Sequence, residues 1–182
     1  MQTDSRSTLK TIPVVSIVGK SESGKTTLIE RIIPELIRAG WRVATIKHSR
    51  RGFDIDREGK DSWRHRKAGA HMTVMASPGQ IAVIENAERE LDIAELRNRY
   101  IHDADIVLSE GFKGNPYPKI EVFRSELKRE MLCSKEENLI AVASDVAMDI
   151  DVPCFDINDS QGIARLIIEL FLQAPQEKHT NA

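Results

Sequence analysis

Gly19-Lys20-Ser21-Glu22-Ser23-Gly24-Lys25-Thr26-Thr27 is the stretch on which the fold of this chain turns. It fits G-x-x-x-x-G-K-[ST], the phosphate-binding P-loop. A polyphosphate concentrates negative charge and needs many donors in a small volume. Gly19 and Gly24 let the chain turn tightly enough to aim successive backbone N–H groups inward. Ser21, Glu22, Ser23 and Thr27 complete the expected phosphate-binding run. Lys25 brings a mobile positive charge to the β- and γ-phosphates, which makes it a candidate catalytic group. The Thr26 hydroxyl is a candidate Mg²⁺ ligand, since Mg²⁺ binds phosphate oxygens and only a few protein groups. The helix starting near Lys25 points its positive end at the phosphates.

The flanks agree with the motif. Val14-Val15-Ser16-Ile17-Val18 is an apolar, β-branched run and reads as a buried parallel strand within 12–18. Leu28, Ile29, Ile32, Ile33, Leu36 and Ile37 then recur at helical spacing, and Gly40 is a natural stop. Pro34 inside this helix should kink it. Strands are further expected at 41–47, 106–108, 118–124, 139–143 and 152–155. The run 118–124 alternates and so reads as a half-exposed or edge strand. Short helices are expected at 61–68, capped by Asp61 or Ser62, and at 93–101, with Ile93, Leu96, Tyr100 and Ile101 inward. A final helix spans 160–172, with Ile163, Leu166, Ile167, Leu170 and Phe171 on its core side. Residues 125–138 are polar and read as helical. Pro78-Gly79 joins two short apolar runs into a hairpin. Alternating strands and helices predict an α/β, P-loop NTPase-like domain over 12–172. It has a mostly parallel central sheet with helices on both faces, plus the hairpin and edge strands. Residues 1–11 and 173–182 read as flexible tails.

The 182 residues suit one domain, and 41% hydrophobic content can supply a core. A net charge of −2 argues against a nucleic-acid binder, whose footprint is basic. No apolar run approaches a membrane span, and the first residues lack the apolar centre of a signal peptide, so a cytoplasmic location is expected. Cys133 and Cys154 show no metal or redox spacing and read as reduced structural thiols. His65 and His71 are poorly spaced for a metal on one helix.

Two more stretches lie where ligands of open α/β sheets bind, beyond the carboxyl ends of strands. The first follows Lys47-His48 and runs through Arg50-Arg51, Phe53-Asp54-Ile55-Asp56 and Gly59-Lys60-Asp61-Ser62. It mixes cations and carboxylates. Asp54 and Asp56, two apart in extended chain, share a face and could hold Mg²⁺; the alternative is a solvated charged loop. The second is Ile106-Val107-Leu108-Ser109-Glu110-Gly111-Phe112-Lys113. P-loop proteins need an acid after a strand beside the P-loop strand, and Glu110 fits as a metal-site and catalytic residue. Gly111 could bring its N–H close to the γ-phosphate, and Lys113 could add charge. Asp105 starts the strand and reads as structural. Guanine presents an N1–H and a 2-amino group that one carboxylate can accept, but the chain contains no Asn-Lys-x-Asp tetrad. Asp145, Asp156, Asn158 and Asp159 are candidates for that carboxylate or simply turn and capping residues. The residues alone leave ATP and GTP both open.

The P-loop, Lys47-His48, Phe53-Asp54-Ile55-Asp56, Gly59-Lys60-Asp61-Ser62, Ala68-Gly69-Ala70 and Glu110-Gly111-Phe112-Lys113 occur in this order. Together they resemble the MobB family of molybdopterin-guanine dinucleotide biosynthesis adapter proteins, over about residues 12–172. The resemblance implies a homodimeric GTP-binding protein with Mg²⁺ and weak GTP hydrolysis. It implies work alongside the guanylyltransferase MobA, which joins GMP to molybdopterin, with molybdopterin itself a further candidate ligand. Carried over by position, Gly24, Lys25, Thr26 and Thr27 bind phosphate and metal, and Asp56 and Glu110 lie near Mg²⁺ or the γ-phosphate. Apart from the positions carried over, Lys47, Gly111 and Asp145 are further candidates for the nucleotide-binding set. Arg50-Arg51 depart from the family loop, which often carries more histidines there. The absence of an obvious arginine finger or water-positioning glutamine fits slow hydrolysis. The competing reading is a small-molecule kinase or ligase acting on an acidic acceptor, because dethiobiotin-synthetase-like enzymes also place Glu-Gly after a core strand.

Overall fold

A computed structural model describes residues 11–49, 52–53, 55–112, 114–128 and 130–172. Residues 1–10 of the expected tail at 1–11, the expected tail at 173–182, and Arg50, Arg51, Asp54 and Lys113 lie outside the described residues. The chain forms two compact units. One runs to His48 and resumes at Ile93; the other is Ser49–Asp92.

The first unit is built on six strands, β1 (Val14–Val18), β2 (Val43–Lys47), β5 (Ile106–Glu110), β6 (Lys119–Phe123), β7 (Leu139–Ser144) and β8 (Cys154–Asp156). They lie in the order β2-β5-β1-β6-β7-β8, and every neighbouring pair is parallel. All six carboxyl ends therefore share one edge. Alternation sorts β1 between two cores. Val15 and Ile17 join the buried cluster of helices α1 (Lys25–Arg38) and α4 (Ser160–Phe171), whereas Val14 joins that of α3 (Ile93–Tyr100). Helices thus cover both faces, as β-branched runs buried on two sides require.

α1 presents Leu28, Ile29, Ile32 and Leu36 to the core, while Ile37 faces solvent. The helix continues without interruption through Pro34. It ends in a Schellman motif: Trp41 N–H donates to Leu36 O at 3.0 Å, and Gly40 N–H to Ile37 O at 2.9 Å. Gly40 supplies the required positive φ of 90°. In α4, Leu170 is 52% exposed, not inward as its spacing suggested; Gly162 and Ala164 take core positions beside Ile163 and Ile167. In α3 Tyr100 is likewise exposed.

β6 corrects the edge-strand expectation. It lies between β1 and β7, and its alternating charges are buried. Lys119 Nζ donates to the carbonyls of Asn115 and Glu137, both at 2.6 Å, and of Tyr117 at 3.3 Å. Glu121 accepts from Leu132 N–H at 2.7 Å and Cys133 N–H at 2.9 Å. Backbone dipoles replace the water each charge has lost, which is the condition for burying it. Residues 125–138 hold two 3₁₀ turns, Ser125–Leu127 and Lys135–Glu137, not a regular helix. No described helix is long and apolar enough to cross a membrane.

The second unit carries α2 (Asp61–Lys67) and an antiparallel hairpin of β3 (Met72–Ser77) and β4 (Gln80–Glu85) turned by Pro78-Gly79. Lys60 occupies the N-cap of α2 and no side chain caps it, so neither Asp61 nor Ser62 has the capping role expected. Ser62 turns to Asp56 instead.

Candidate functional site

β1 enters the loop through Gly19 at φ 144°, where only glycine fits: a Cβ there would stand 2.6 Å from Val122 O. Glu22 adopts φ 67° and Gly24 φ 98°. Left-handed residues set among right-handed ones bend the chain into a nest of inward N–H groups. Glu22 holds this conformation at a cost of about 1 kcal/mol. Gly24 is the N-cap of α1 and provides no side-chain cap. In general the first-turn N–H groups of a helix lack intrahelical partners, which makes a helix start a suitable place for an anion. Val18, Gly19, Ser21, Lys25 and Gly111 line a cavity of about 170 Å³. Lys25 Nζ donates to Lys20 O at 2.6 Å across the loop. Ser23 Oγ is buried without a hydrogen-bond partner. Thr27 is exposed beside Thr26 on the opening turn.

Strand register assembles the charged end. Lys47 and Glu110 are Cα partners at the carboxyl ends of β2 and β5. Lys47 Nζ reaches the Glu110 oxygens at 3.1 and 3.0 Å. The Thr26 hydroxyl donates to the same oxygens at 3.0 and 3.1 Å, and Lys47 Nζ lies 3.4 Å from Thr26 Oγ1. A hydroxyl and a carboxylate converge at the mouth of an N–H nest, with an ammonium beside them. Hard oxygens in that number suit Mg²⁺, which keeps its other positions for phosphate and water. Among the described residues there is no cluster of three or more His, Cys, Asp or Glu able to hold a metal unaided. The donor set thus fits a metal–phosphate complex better than a bare ion.

Gly111 follows with φ 95°, and a Cβ on it would meet His48 O at 2.7 Å. The two strand exits are laced together, since His48 N–H donates to Glu110 O at 2.8 Å and the His48 and Phe112 rings pack at 4.8 Å. Behind this turn lies a buried network that the sequence did not reveal. Ser16 Oγ and Ser109 Oγ are 2.8 Å apart. Ser16 Oγ also donates to Asn115 Oδ1 at 3.1 Å, and Asn115 Nδ2 to Phe112 O. Small polar residues inside two core strands were the available signal, because buried hydroxyls need partners.

Asp145 closes β7 and accepts from Ser125 N–H at 2.9 Å and Ser125 Oγ at 3.1 Å. The Ser125 N–H bond, aided by its hydroxyl and the nearby Arg124, holds the Asp145 carboxyl below its ordinary range. Arg124 was not singled out from the sequence; its Nε donates to Ser23 O of the loop at 3.4 Å. Asp56 belongs to the second unit, where it accepts from Ser62 Oγ at 2.7 Å and pairs with Arg66 Nε at 3.2 Å. Glu121 is pushed above the ordinary carboxyl range by burial, which its two N–H bonds only partly offset.

A parallel sheet whose first strand runs through such a nest into a helix defines the P-loop class of α/β proteins. Within that class, the family model described as "Molybdopterin guanine dinucleotide synthesis protein B" matches residues 14–145. The chain belongs to the MobB family of molybdopterin-guanine dinucleotide biosynthesis adapter proteins. It is 40% identical over 157 residues to the molybdopterin-guanine dinucleotide biosynthesis adapter protein of Haemophilus influenzae, covering 86% of this chain and 88% of that one. The protein of that name from Escherichia coli is 39% identical over 164 residues, 87% and 93% of the two chains. A crystal structure of molybdopterin-guanine biosynthesis protein B superposes with TM-score 0.69 at 32% identity, over 86% of this chain and 99% of that one. Bacillus subtilis MobB gives TM-score 0.69 at 30% identity, over 86% and 96%.

Proposed function

We propose that this protein is a GTP-binding adapter of molybdopterin guanine dinucleotide biosynthesis. It acts as a cytoplasmic homodimer beside the guanylyltransferase MobA and hydrolyses GTP weakly with Mg²⁺. The observation that carries the nucleotide part is the junction of the glycine-shaped nest with Thr26, Glu110 and Lys47 at its mouth. The names of the relatives support the pathway and the adapter role.

In this reading the nest and Lys25 hold the phosphates, and Thr26 and Glu110 hold Mg²⁺ directly or through its waters. The metal would neutralise phosphate charge. Lys47 exchanges its carboxylate partner for the terminal phosphate, and Gly111 offers its N–H to the same group. Such contacts depend on the third phosphate, so two nucleotide states bind with different free energies. That difference is all an adapter needs to switch between partners.

The test is calorimetric titration of the purified protein with Mg-GTP and Mg-ATP, with turnover followed with and without MobA and a molybdopterin source. Lys25→Ala should lower triphosphate affinity by at least about a hundredfold, the loss of a charge-assisted contact set worth about 3 kcal/mol. Its circular dichroism should be unchanged. A folded Lys25→Ala protein with wild-type GTP affinity would overturn the reading. So would rapid phosphorylation of a small acceptor by this protein alone.

A further inference from the structure

Glu110 and Gly111 stand where the triphosphate reading puts the metal and the third phosphate, and the peptide between them has a fixed direction. His48 N–H donates to Glu110 O at 2.8 Å from the β2 side. In a trans peptide the N–H points opposite to the carbonyl. The Gly111 N–H therefore points away from β2, toward β1 and the loop cavity that Gly111 helps to line. The packing of the His48 and Phe112 rings at 4.8 Å adds to this first hold on the turn.

A second hold comes from Asn115. Its Nδ2 donates to Phe112 O, one residue past Gly111. Its Oδ1 accepts from Tyr117 N–H at 2.9 Å and from Ser16 Oγ at 3.1 Å. The orientation of the amide follows from these partners, since a carbonyl can only accept and an N–H can only donate. Ser16 gives its one proton to Oδ1, so Ser109 Oγ donates to Ser16 Oγ at 2.8 Å. Hydroxyls of β5 and β1 thus stand in line behind the amide. The main chain around Asn115 is tied to the sheet as well. Lys119 Nζ donates to Asn115 O at 2.6 Å and to Tyr117 O at 3.3 Å, and Asn138 Nδ2 donates to Pro116 O at 2.9 Å. With three successive carbonyls anchored, the amide is a fixed post against which the turn rests.

We propose that Asn115 is a positioning residue: by holding Phe112 O it fixes the Glu110–Phe112 turn, so that the Gly111 N–H is aimed at the third phosphate before a nucleotide arrives. This inference rests on the proposed triphosphate site. Asparagine suits the place because the two ends of its amide face opposite chemistries, a carbonyl and an N–H. A carboxylate of the same shape sets an oxygen against Phe112 O and repels it. Leucine leaves both Phe112 O and Tyr117 N–H without the amide. Glu110 keeps its own partners, Lys47 and Thr26, in either case. The effect therefore belongs to the third phosphate, and a diphosphate should not register it.

The experiment measures the affinities of wild type, Asn115→Asp, Asn115→Leu and Ser16→Ala for Mg-GTP and Mg-GDP by calorimetry, with urea unfolding to establish that each chain folds. Wild type should bind Mg-GTP more tightly than Mg-GDP. Asn115→Asp should lower Mg-GTP affinity by about tenfold or more and leave Mg-GDP affinity within about twofold. Asn115→Leu should move the GTP-to-GDP ratio the same way, because Phe112 O loses the same donor. Ser16→Ala leaves the amide oriented by Tyr117 N–H, and its ratio should fall by only about two- to threefold. An unchanged ratio in a folded Asn115 variant, or equal losses for the two nucleotides, overturns the positioning role and leaves the triphosphate site standing. Equal wild-type affinities for the two nucleotides also overturn it. Should neither Asn115 variant fold, Ser16→Ala decides: a lowered ratio sustains the inference and an unchanged one overturns it. Failure of wild type to bind either nucleotide overturns both readings.

Discussion

On the β2–β5–β1 side of the carboxyl edge, Lys47, Thr26 and Glu110 meet side chain to side chain, and glycines bring backbone against backbone. Along β6 and just past β7, polar groups are held mainly by main-chain partners: Lys119 by three carbonyls, Glu121 by two N–H groups, and Asp145 by Ser125 N–H with its hydroxyl. The difference is one of exchangeability. Side-chain ion pairs near solvent are worth little and can trade partners when a phosphate arrives. The buried charges of Lys119 and Glu121 cannot move without leaving backbone dipoles unpaired. The first group can exchange partners, whereas the second holds its shape.

Gly111→Ala attacks the responsive side where it has least slack. A Cβ would be 2.7 Å from His48 O at φ 95°, so the turn must shift. The expected loss is about 1–3 kcal/mol in stability, by urea unfolding, with at least about tenfold in Mg-GTP affinity. Wild-type stability and affinity together would show that the turn is loose, and the contrast would fail.

A smaller effect is expected from Glu110→Gln, which keeps the shape of the group and removes its charge. Affinity for GTP with Mg²⁺ should fall by about tenfold, near 1.4 kcal/mol, while affinity in EDTA stays level or rises. Equal losses with and without the metal would remove Glu110 from the metal site.

The smallest effect belongs to the rigid side. The Glu121 carboxyl is raised by burial above its ordinary 4.5. The folded state then binds the proton more tightly than the unfolded chain. Stability from this group is fully present below 4.5 and is lost as pH rises through the raised folded value. The slope is a fraction of the roughly 1.4 kcal/mol per pH unit that one proton can supply. Unfolding free energies of wild type and Glu121→Gln between pH 4 and 7 should show this slope only in wild type. Parallel curves would mean that Glu121 is solvated.

The P-loop, the buried strand before it and the amphipathic helix after it were legible because each is a local pattern: spacing of glycines, β-branched content, helical period. The hairpin at Pro78-Gly79 was legible for the same reason. β6 was misread because Lys119 and Glu121 alternate with apolar residues as they would on an exposed strand. Periodicity reports polarity along one chain and contains nothing about Asn115, Glu137, Leu132 and Cys133, the residues that satisfy those charges. Leu170 and Tyr100 failed similarly, since a helical stripe shows which residues share a face but not how much of it a neighbour covers.

The sequence by itself determined the phosphate loop, the α/β class and the family, because these depend on residue type at short spacing. Tertiary structure decided that Lys47 stands opposite Glu110, that Thr26 reaches the same carboxylate, and that Asp145 is clamped by Ser125 while Asp159 is consumed as a cap. Those facts depend on strand order and register, which bring together residues distant along the chain. No local pattern encodes register; it is fixed only when both faces of the sheet are buried at once.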